Sequence, residues 1–284
     1  MSDNKEFVET GHYYSAVPNM LELQRDADRI WNDSKGVCGI DMNEQAQLKM
    51  MQDISEFSKD APWHDAKKEN LRFYCRNGIF EYMDALFLYG IMRMYSPKNI
   101  IEIGSGFSSA VMLDTSEKFL NDSVNITLIE PFTERLNSLL MPNDIDKPNL
   151  KIINTRLQDV QIGEFDRLGN GDILFVDSTH VLKTGSDVEY ILGEIIPRLA
   201  PGVIIHVHDI HWPFVLYKQW AMGGRAWNEV YAMRSFLQFN SEFEIISMLH
   251  WIAVKHFELF SRVMPEATKS IGNGLWIRRK THGK

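Results

Sequence analysis

The sequence predicts an α/β domain built on a mostly parallel β-sheet and preceded by a helical extension. From about residue 80, short runs rich in Ile, Val and Leu alternate with helical patterns, the rhythm of βαβ units whose sheet is buried on both faces. Breakers stand where strands should start, at Pro97, Pro148 and Pro201-Gly202. One apolar run, IIEIGSGFSSAVML (100–113), passes through a glycine turn straight into a helical pattern.

Taken in order, residues 1–70 are polar and helix-prone. NMLELQRDADRIWND and NEQAQLKMMQDISEF carry apolar residues at three-and-four spacing, with Asn19 and Asn43 placed as N-caps. This segment is expected to be a cap or lid over the domain at 71–284, and it could also form a dimer face. The strands are expected at KNIIEI (98–103), NITLIE (125–130), LKIIN (150–154), DILFVD (172–177) and VIIHVHD (203–209). Helical patterns lie between them at 107–120, 131–141 and 185–199. A further helix is expected at RAWNEVYAMRSFLQFN (225–240). Two apolar runs, FEIISML (243–249) and GNGLWIRRK (272–280), then follow without an equally regular helix between them. There is no internal repeat and no low-complexity linker.

Of the 284 residues, 44% are hydrophobic and 24% charged, the balance of an ordinary globular chain. The net charge of −8 argues against a nucleic-acid partner, because such affinity comes largely from neutralising phosphates. Two cysteines, Cys38 and Cys75, supply neither a disulfide framework nor a paired-cysteine metal signature. The stretch ALFLYGIMRMY is interrupted by Arg93 and far shorter than the ~20 residues a membrane span needs. The start, MSDNKEFVETGHYY, has no basic-then-apolar pattern. The expectation is a cytoplasmic protein with no membrane contact.

In an open parallel sheet, ligands bind beyond the carboxyl ends of the strands, where strand order reverses. Glu102, Glu130, Asp177 and Asp209 all stand at such ends. The turn reads Gly104-Ser105-Gly106-Phe107-Ser108-Ser109, with Ser109 where a dinucleotide fingerprint has its third glycine. Glu102 suits a ligand with a positive charge better than one with a pyrophosphate. Glu130 fits the acid that accepts hydrogen bonds from ribose hydroxyls. A phosphate-free, zwitterionic adenosine cofactor, S-adenosylmethionine, meets these demands.

At this point the chain resembles a known family. EIGSGFSS, ITLIEPF and DILFVDSTHVLKTGSD are similar to the first, second and fourth strand motifs of class I S-adenosylmethionine-dependent methyltransferases. PGVIIHVHDIHWP, RAWNEVYAMRSFLQFNSEFEI and GNGLWIRR resemble a bacterial subgroup found among glycan and secondary-metabolite genes. The resemblance spans about residues 70–280. It implies a Rossmann-like, seven-stranded, mostly parallel sheet with an antiparallel last strand, FEIISML and GLWIRR forming the closing pair. It also implies that Glu102, Gly104 and Gly106, with Ser105, Ser108 and Ser109, line the methionine end of the cofactor. Glu130 would hold the ribose, Pro131 and Phe132 would lie beside the adenine, and Gln158 and Asp159 would meet its amino group. Asp177 would stand near the sulfonium.

Four histidines gather after the fourth and fifth strands: His180, His206, His208 and His211. Strand alternation puts His206 and His208 on one face and Asp209 on the other, unless a turn re-aims them. Asp177, His208 and Asp209 resemble the ligand positions of metal-dependent small-molecule O-methyltransferases. His208 stands where oxygen is usual, which tells against magnesium and leaves room for manganese, iron or zinc, or for no metal. Methyl transfer to a hydroxyl needs a proton removed, by a metal or by a histidine. His180 is the first candidate base, with His208 and His211 next; His206 reads as a packed strand residue. The aromatic run HWPFVLYKQW (211–220), with Arg225, Trp227 and Asn228, falls where an acceptor pocket or lid packing would lie. The acceptor is expected to be a small molecule or saccharide. Three alternatives stand beside this reading. An iron-dependent hydroxylase on the same fold would use the His/Asp cluster. A nicotinamide-dependent oxidoreductase is disfavoured by Glu102, Ser109 and the lack of a Tyr-x-x-x-Lys pair. A binding module would retain the cofactor pocket without turnover.

Overall fold

A computed structural model describes residues 6–281; residues 1–5 and 282–284, the ends of the two expected segments, lie outside the described residues. The amino-terminal part holds α1 (Met20–Arg25), α2 (Ala27–Ile30) and α3 (Glu44–Ser58), followed by α4 (Tyr82–Tyr95). Then come β1 (Asn99–Ile103), α5 (Phe107–Phe119), β2 (Asn125–Ile129), α6 (Glu134–Leu139), β3 (Leu150–Ile153) and β4 (Ile173–Val176). Next are α7 (Asp187–Tyr190), β5 (Ile204–Val207), α8 (Lys218–Met222) and α9 (Glu229–Leu237). The chain closes through β6 (Phe243–Met248), α10 (Leu249–Lys255), α11 (Phe257–Val263) and β7 (Leu275–Arg279).

The expected seven-stranded sheet is present, in the order β3-β2-β1-β4-β5-β7-β6. The five strands β1 to β5 are mutually parallel, and β7 runs antiparallel to both its neighbours. Strand order reverses between β1 and β4, so a crevice opens above their carboxyl ends. β1, β4 and β5 are almost wholly buried and mostly Ile, Leu, Val and Phe, with Glu102 and His206 as buried polar exceptions.

Several elements differ from the expectation, each for a local reason. The first amphipathic stretch breaks into α1 and α2 at Asp26; Asn19 caps α1, its side chain accepting from the Leu21 and Glu22 amides. Asn43 is not a side-chain cap: its backbone is left-handed (φ 49°) and its amide donates to the Ile245 carbonyl. The pattern at 185–199 contains only one short α-turn, α7, then a π-turn at Ile191–Ile195 and a 3₁₀ turn at Ile196–Arg198, where Pro197 lacks an amide donor. The helix expected at 225–240 begins at Glu229, because the Asn228 and Glu229 amides are bound by the His180 carbonyl (3.0 and 3.2 Å). Two short helices, α10 and α11, fill the interval between β6 and β7. The stretch containing ALFLYGIMRMY is α4, buried from Tyr82 to Met92. Its apolar surface faces α3 and α5 rather than a membrane. Among the described residues, no helix is long and apolar enough to cross one.

The amino-terminal segment shares the main core. Met51 and Ile54 of α3 are fully buried, and Ile54 lies so close to Gly90 of α4 that a Cβ there would approach it to 2.5 Å. Gln47 accepts from the Met248 amide (2.7 Å) and so ties α3 to the end of β6. Further along, the Trp31 indole donates to the Leu216 carbonyl (2.8 Å), and the Trp212 indole donates to the Asp33 carbonyl (3.1 Å). These two bonds pin residues 31–33 to the loop after β5.

Candidate active site

The β1 turn is built for close backbone approach. Gly104 is left-handed (φ 80°), and a Cβ at this position would lie 1.8 Å from the Asp177 carbonyl oxygen, so no other residue fits. Glu102, fully buried, accepts from Ser108 Oγ (2.6 Å) and from Ser109 Oγ. Ser109 Oγ in turn accepts from the Gly106 amide (2.9 Å). Burial pushes the Glu102 carboxyl up to about 8 despite these hydroxyl donors. The serine at the third-glycine position thus locks the turn to the strand beneath it. Glu102 supports the turn from below.

Glu130, just after β2, accepts from the Ser105 amide (3.0 Å) and the Phe132 amide (2.7 Å). Both bonds hold the carboxylate over the crevice at the mouth of a cleft of about 420 Å³. Ile103, Ile129 and Leu157 form apolar walls; Gly104, Glu130, Pro131, Phe132, Gln158 and Asp177 also line it. Gln158 is held by the Gly185 carbonyl (2.9 Å), whereas Asp159 turns away to pair with Arg156 (2.9 Å) and does not line the cleft. A neighbouring pocket takes in Ser105, Gly106 and Ser108. Ser178 Oγ, buried on the cleft wall, has no hydrogen-bond partner among the described residues. The combination of flat apolar walls, a fixed carboxylate and an unpaired hydroxyl fits a nucleoside with ribose hydroxyls.

On the other side of the crevice, Asp177, His180 and Asp209 come together, one donor atom of each within 4.8 Å of the others. His180 Nε2 lies 3.4 Å from Asp177 and 3.6 Å from Asp209, while Nδ1 lies 2.9 Å from Glu229 Oε2. Both His180 and Asp209 are left-handed (φ 59° each). That reversal turns Asp209 back to the side where the strand alternation would not put it. His208, expected in this triplet, sits 3.7 Å from Asp209 but gives its Nδ1 to His206 (3.2 Å), with Asp84 3.9 Å away. His180 therefore occupies the place expected of His208. His206 is buried and stacks on Phe175 at 3.9 Å. His211 stacks on Tyr217, and burial pushes its pKa down to about 3.

Electrostatics in the cluster follow from one imidazole among three carboxylates. Burial disfavours the His180 cation, but hydrogen bonds to Asp177 and Glu229 outweigh it and raise the pKa to about 10. Burial opposes ionisation of Asp177, yet His208 and His180 hold it below the ordinary range. Burial pushes Asp209 and Glu229 up. A mixed N/O donor set with excess negative charge fits a divalent cation, and an imidazole whose second nitrogen faces a carboxylate has the usual orientation of a metal ligand.

Glu229 is the functional candidate that sequence reasoning missed. It lies 49 residues from His180, at the start of an amphipathic helix. A single carboxylate on an otherwise apolar helix face was its only signal. Asp187 is the second: it accepts from the Thr179 amide (3.0 Å) and hydroxyl (2.5 Å) and closes the loop that carries His180.

A sheet of this order, with a glycine turn on its first strand and acids at the ends of four strands, defines a Rossmann-like α/β domain with a crevice at its strand ends. Residues 101–210 match a family model described as a methyltransferase domain. Over that stretch the chain is similar to methyltransferase domains. A relative from Archaeoglobus fulgidus, described as an uncharacterized protein, is 35% identical over 162 residues, 56% of this chain and 72% of its own. Weak likeness extends to solved structures. An O-methyltransferase from Streptomyces achromogenes involved in tomaymycin synthesis has 15% identity and a TM-score of 0.44, over 92% of this chain and 96% of its own. A putative caffeoyl-CoA O-methyltransferase from Staphylococcus aureus has 14% identity and a TM-score of 0.47, over 92% and 98%.

Proposed function

We propose that this enzyme methylates an oxygen of a small molecule at the Asp177–His180–Asp209 cluster, with a divalent cation as second cofactor. The observation that carries the reading is His180: Glu229 holds its Nδ1, so Nε2 faces two strand-end carboxylates beside the cofactor cleft. Bound S-adenosylmethionine supplies an electrophilic methyl group on a sulfonium. Glu130 would accept from the ribose hydroxyls, Pro131 and Phe132 would flank the adenine, and Gln158 would offer its amide. Gly104, Gly106 and Ser105 would line the methionine end, on a turn that Ser108 and Ser109 fasten to Glu102. Asp177 reaches both sites and fixes the spacing between methyl donor and acceptor, which an in-line displacement requires.

Asp177, His180 and Asp209 would hold the cation, which would lower the pKa of an acceptor hydroxyl. His208 stands behind Asp209 and positions it. The mixed donor set suits manganese, iron or zinc better than magnesium. Titration of metal-stripped protein with S-adenosylhomocysteine, then with manganese, tests the reading. Micromolar S-adenosylhomocysteine binding, and manganese binding lost in Asp177→Asn, are the expected results. Binding of NADH in place of S-adenosylhomocysteine would overturn it. Product formation on incubation with a hydroxylated aromatic is expected to need both S-adenosylmethionine and the metal. The residues contact the core of the chain, so the amino-terminal segment acts as a fixed cap on the loop after β5.

A further inference from the structure

Beside the cluster stands an arginine whose surroundings the methyl-transfer chemistry does not require. Arg225 lies with its guanidinium 4.8 Å from the Trp220 ring centre and 4.6 Å from that of Trp227. Trp227 in turn lies 4.5 Å from the His180 ring. The arginine is thus one indole ring away from the residue at the centre of the cluster. It is exposed, and among the described residues its side chain has no ion pair and no hydrogen bond. Stacking uses only the faces of a guanidinium; the N–H donors along its edge remain free and match an oxyanion in a bidentate fork. The two indoles also restrict its rotamers, so little order is lost when a ligand engages it.

Charge balance points the same way. Asp177, Asp209 and Glu229 surround His180, and Glu130 stands across the crevice. With these carboxylates balanced by His180 and the proposed divalent cation, Arg225 is a further fixed positive charge at this edge, available to a negative group on the acceptor. Arg225 is close enough to Asp209 to act on its carboxyl. A neutral acceptor would need no such counter-charge. We propose that Arg225, held against the Trp220 and Trp227 pair, is a specificity-determining residue that binds an oxyanion, carboxylate or phosphate, on the methyl acceptor. The inference rests on the methyltransferase reading above.

The test uses the full chain loaded with S-adenosylhomocysteine and manganese, and three matched probes: protocatechuate, its neutral amide and the corresponding phosphonate. Calorimetry gives the affinity of each for native protein, Arg225→Gln and Arg225→Lys. Native protein is expected to bind at least one anionic probe about tenfold or more tightly than the amide. Whichever anion binds better identifies carboxylate or phosphate as the source. Arg225→Gln should bring the ratio to about one, and Arg225→Lys should keep part of it, most for the phosphonate. A merely structural role for Arg225 would weaken all three probes alike and leave the ratio unchanged. No preference in native protein, no binding of any probe, or a preference that survives Arg225→Gln would overturn the proposal. Failure of S-adenosylhomocysteine to bind, with the charge preference intact, would strike the cofactor reading and leave the arginine site standing.

Discussion

The two halves of the crevice reach their geometry by opposite means. On the β1–β2 side, the left-handed turn is given to Gly104, and both carboxylates are satisfied by the chain's own serine hydroxyls and backbone amides. On the β4–β5 side, left-handed backbone falls on His180 and Asp209, residues for which it carries a cost of order 1–3 kcal/mol. There the carboxylates converge on one imidazole. The β1–β2 half is thus internally satisfied, whereas the β4–β5 half combines strained backbone with three carboxylates around one imidazole.

The largest effect separating the halves should come from Gly104→Ala. The added methyl group meets the Asp177 carbonyl at 1.8 Å and also suffers the left-handed penalty. A stability loss of about 3 kcal/mol or more is expected in chemical denaturation, with loss of S-adenosylhomocysteine binding. Next, His180→Ala should lower turnover by about 10²–10⁴-fold while cofactor affinity stays within about threefold. A comparable fall in cofactor affinity would join the two halves into one unit. Glu229→Gln should weaken manganese binding by about 10–100-fold, because the carboxylate that orients the imidazole and raises its basicity becomes a neutral amide.

The smallest effect is a pH slope from the cradle side. Glu102 has an ordinary value of 4.5 and is pushed up to about 8 by burial. Between these values the unfolded chain has lost the proton that the folded chain keeps. The stabilisation is therefore complete below about pH 4.5 and is lost as pH rises to about 8. Denaturation of native protein and Glu102→Gln across this window should show a slope in the first that is flatter in the second. Equal slopes would remove Glu102 as its source.

Much of the frame was legible because parallel strands buried on both faces read as continuous Ile, Val and Leu runs. All seven strands fell within their expected stretches. Helix α4 escaped because it is apolar on every side and shows no amphipathic period. In the site, strand-end acids could be read from position alone. The exchange of His180 for His208 could not, since it depends on backbone reversals at His180 and Asp209 that no periodicity encodes. Asp159 was lost to Arg156, a local competitor three residues away. Glu229 was hidden by sequence distance and became visible only once α9 packed its first turn under the His180 carbonyl.

If cofactor and cation occupy separate halves sharing Asp177, as proposed, cofactor affinity responds to one half alone. The most direct measurement is calorimetric titration of S-adenosylhomocysteine into native protein, Glu130→Ala and Asp209→Asn. Micromolar binding is expected in the native protein, none detectable in Glu130→Ala, and affinity within about threefold of native in Asp209→Asn. Unchanged binding in Glu130→Ala, or lost binding in Asp209→Asn, would contradict that separation.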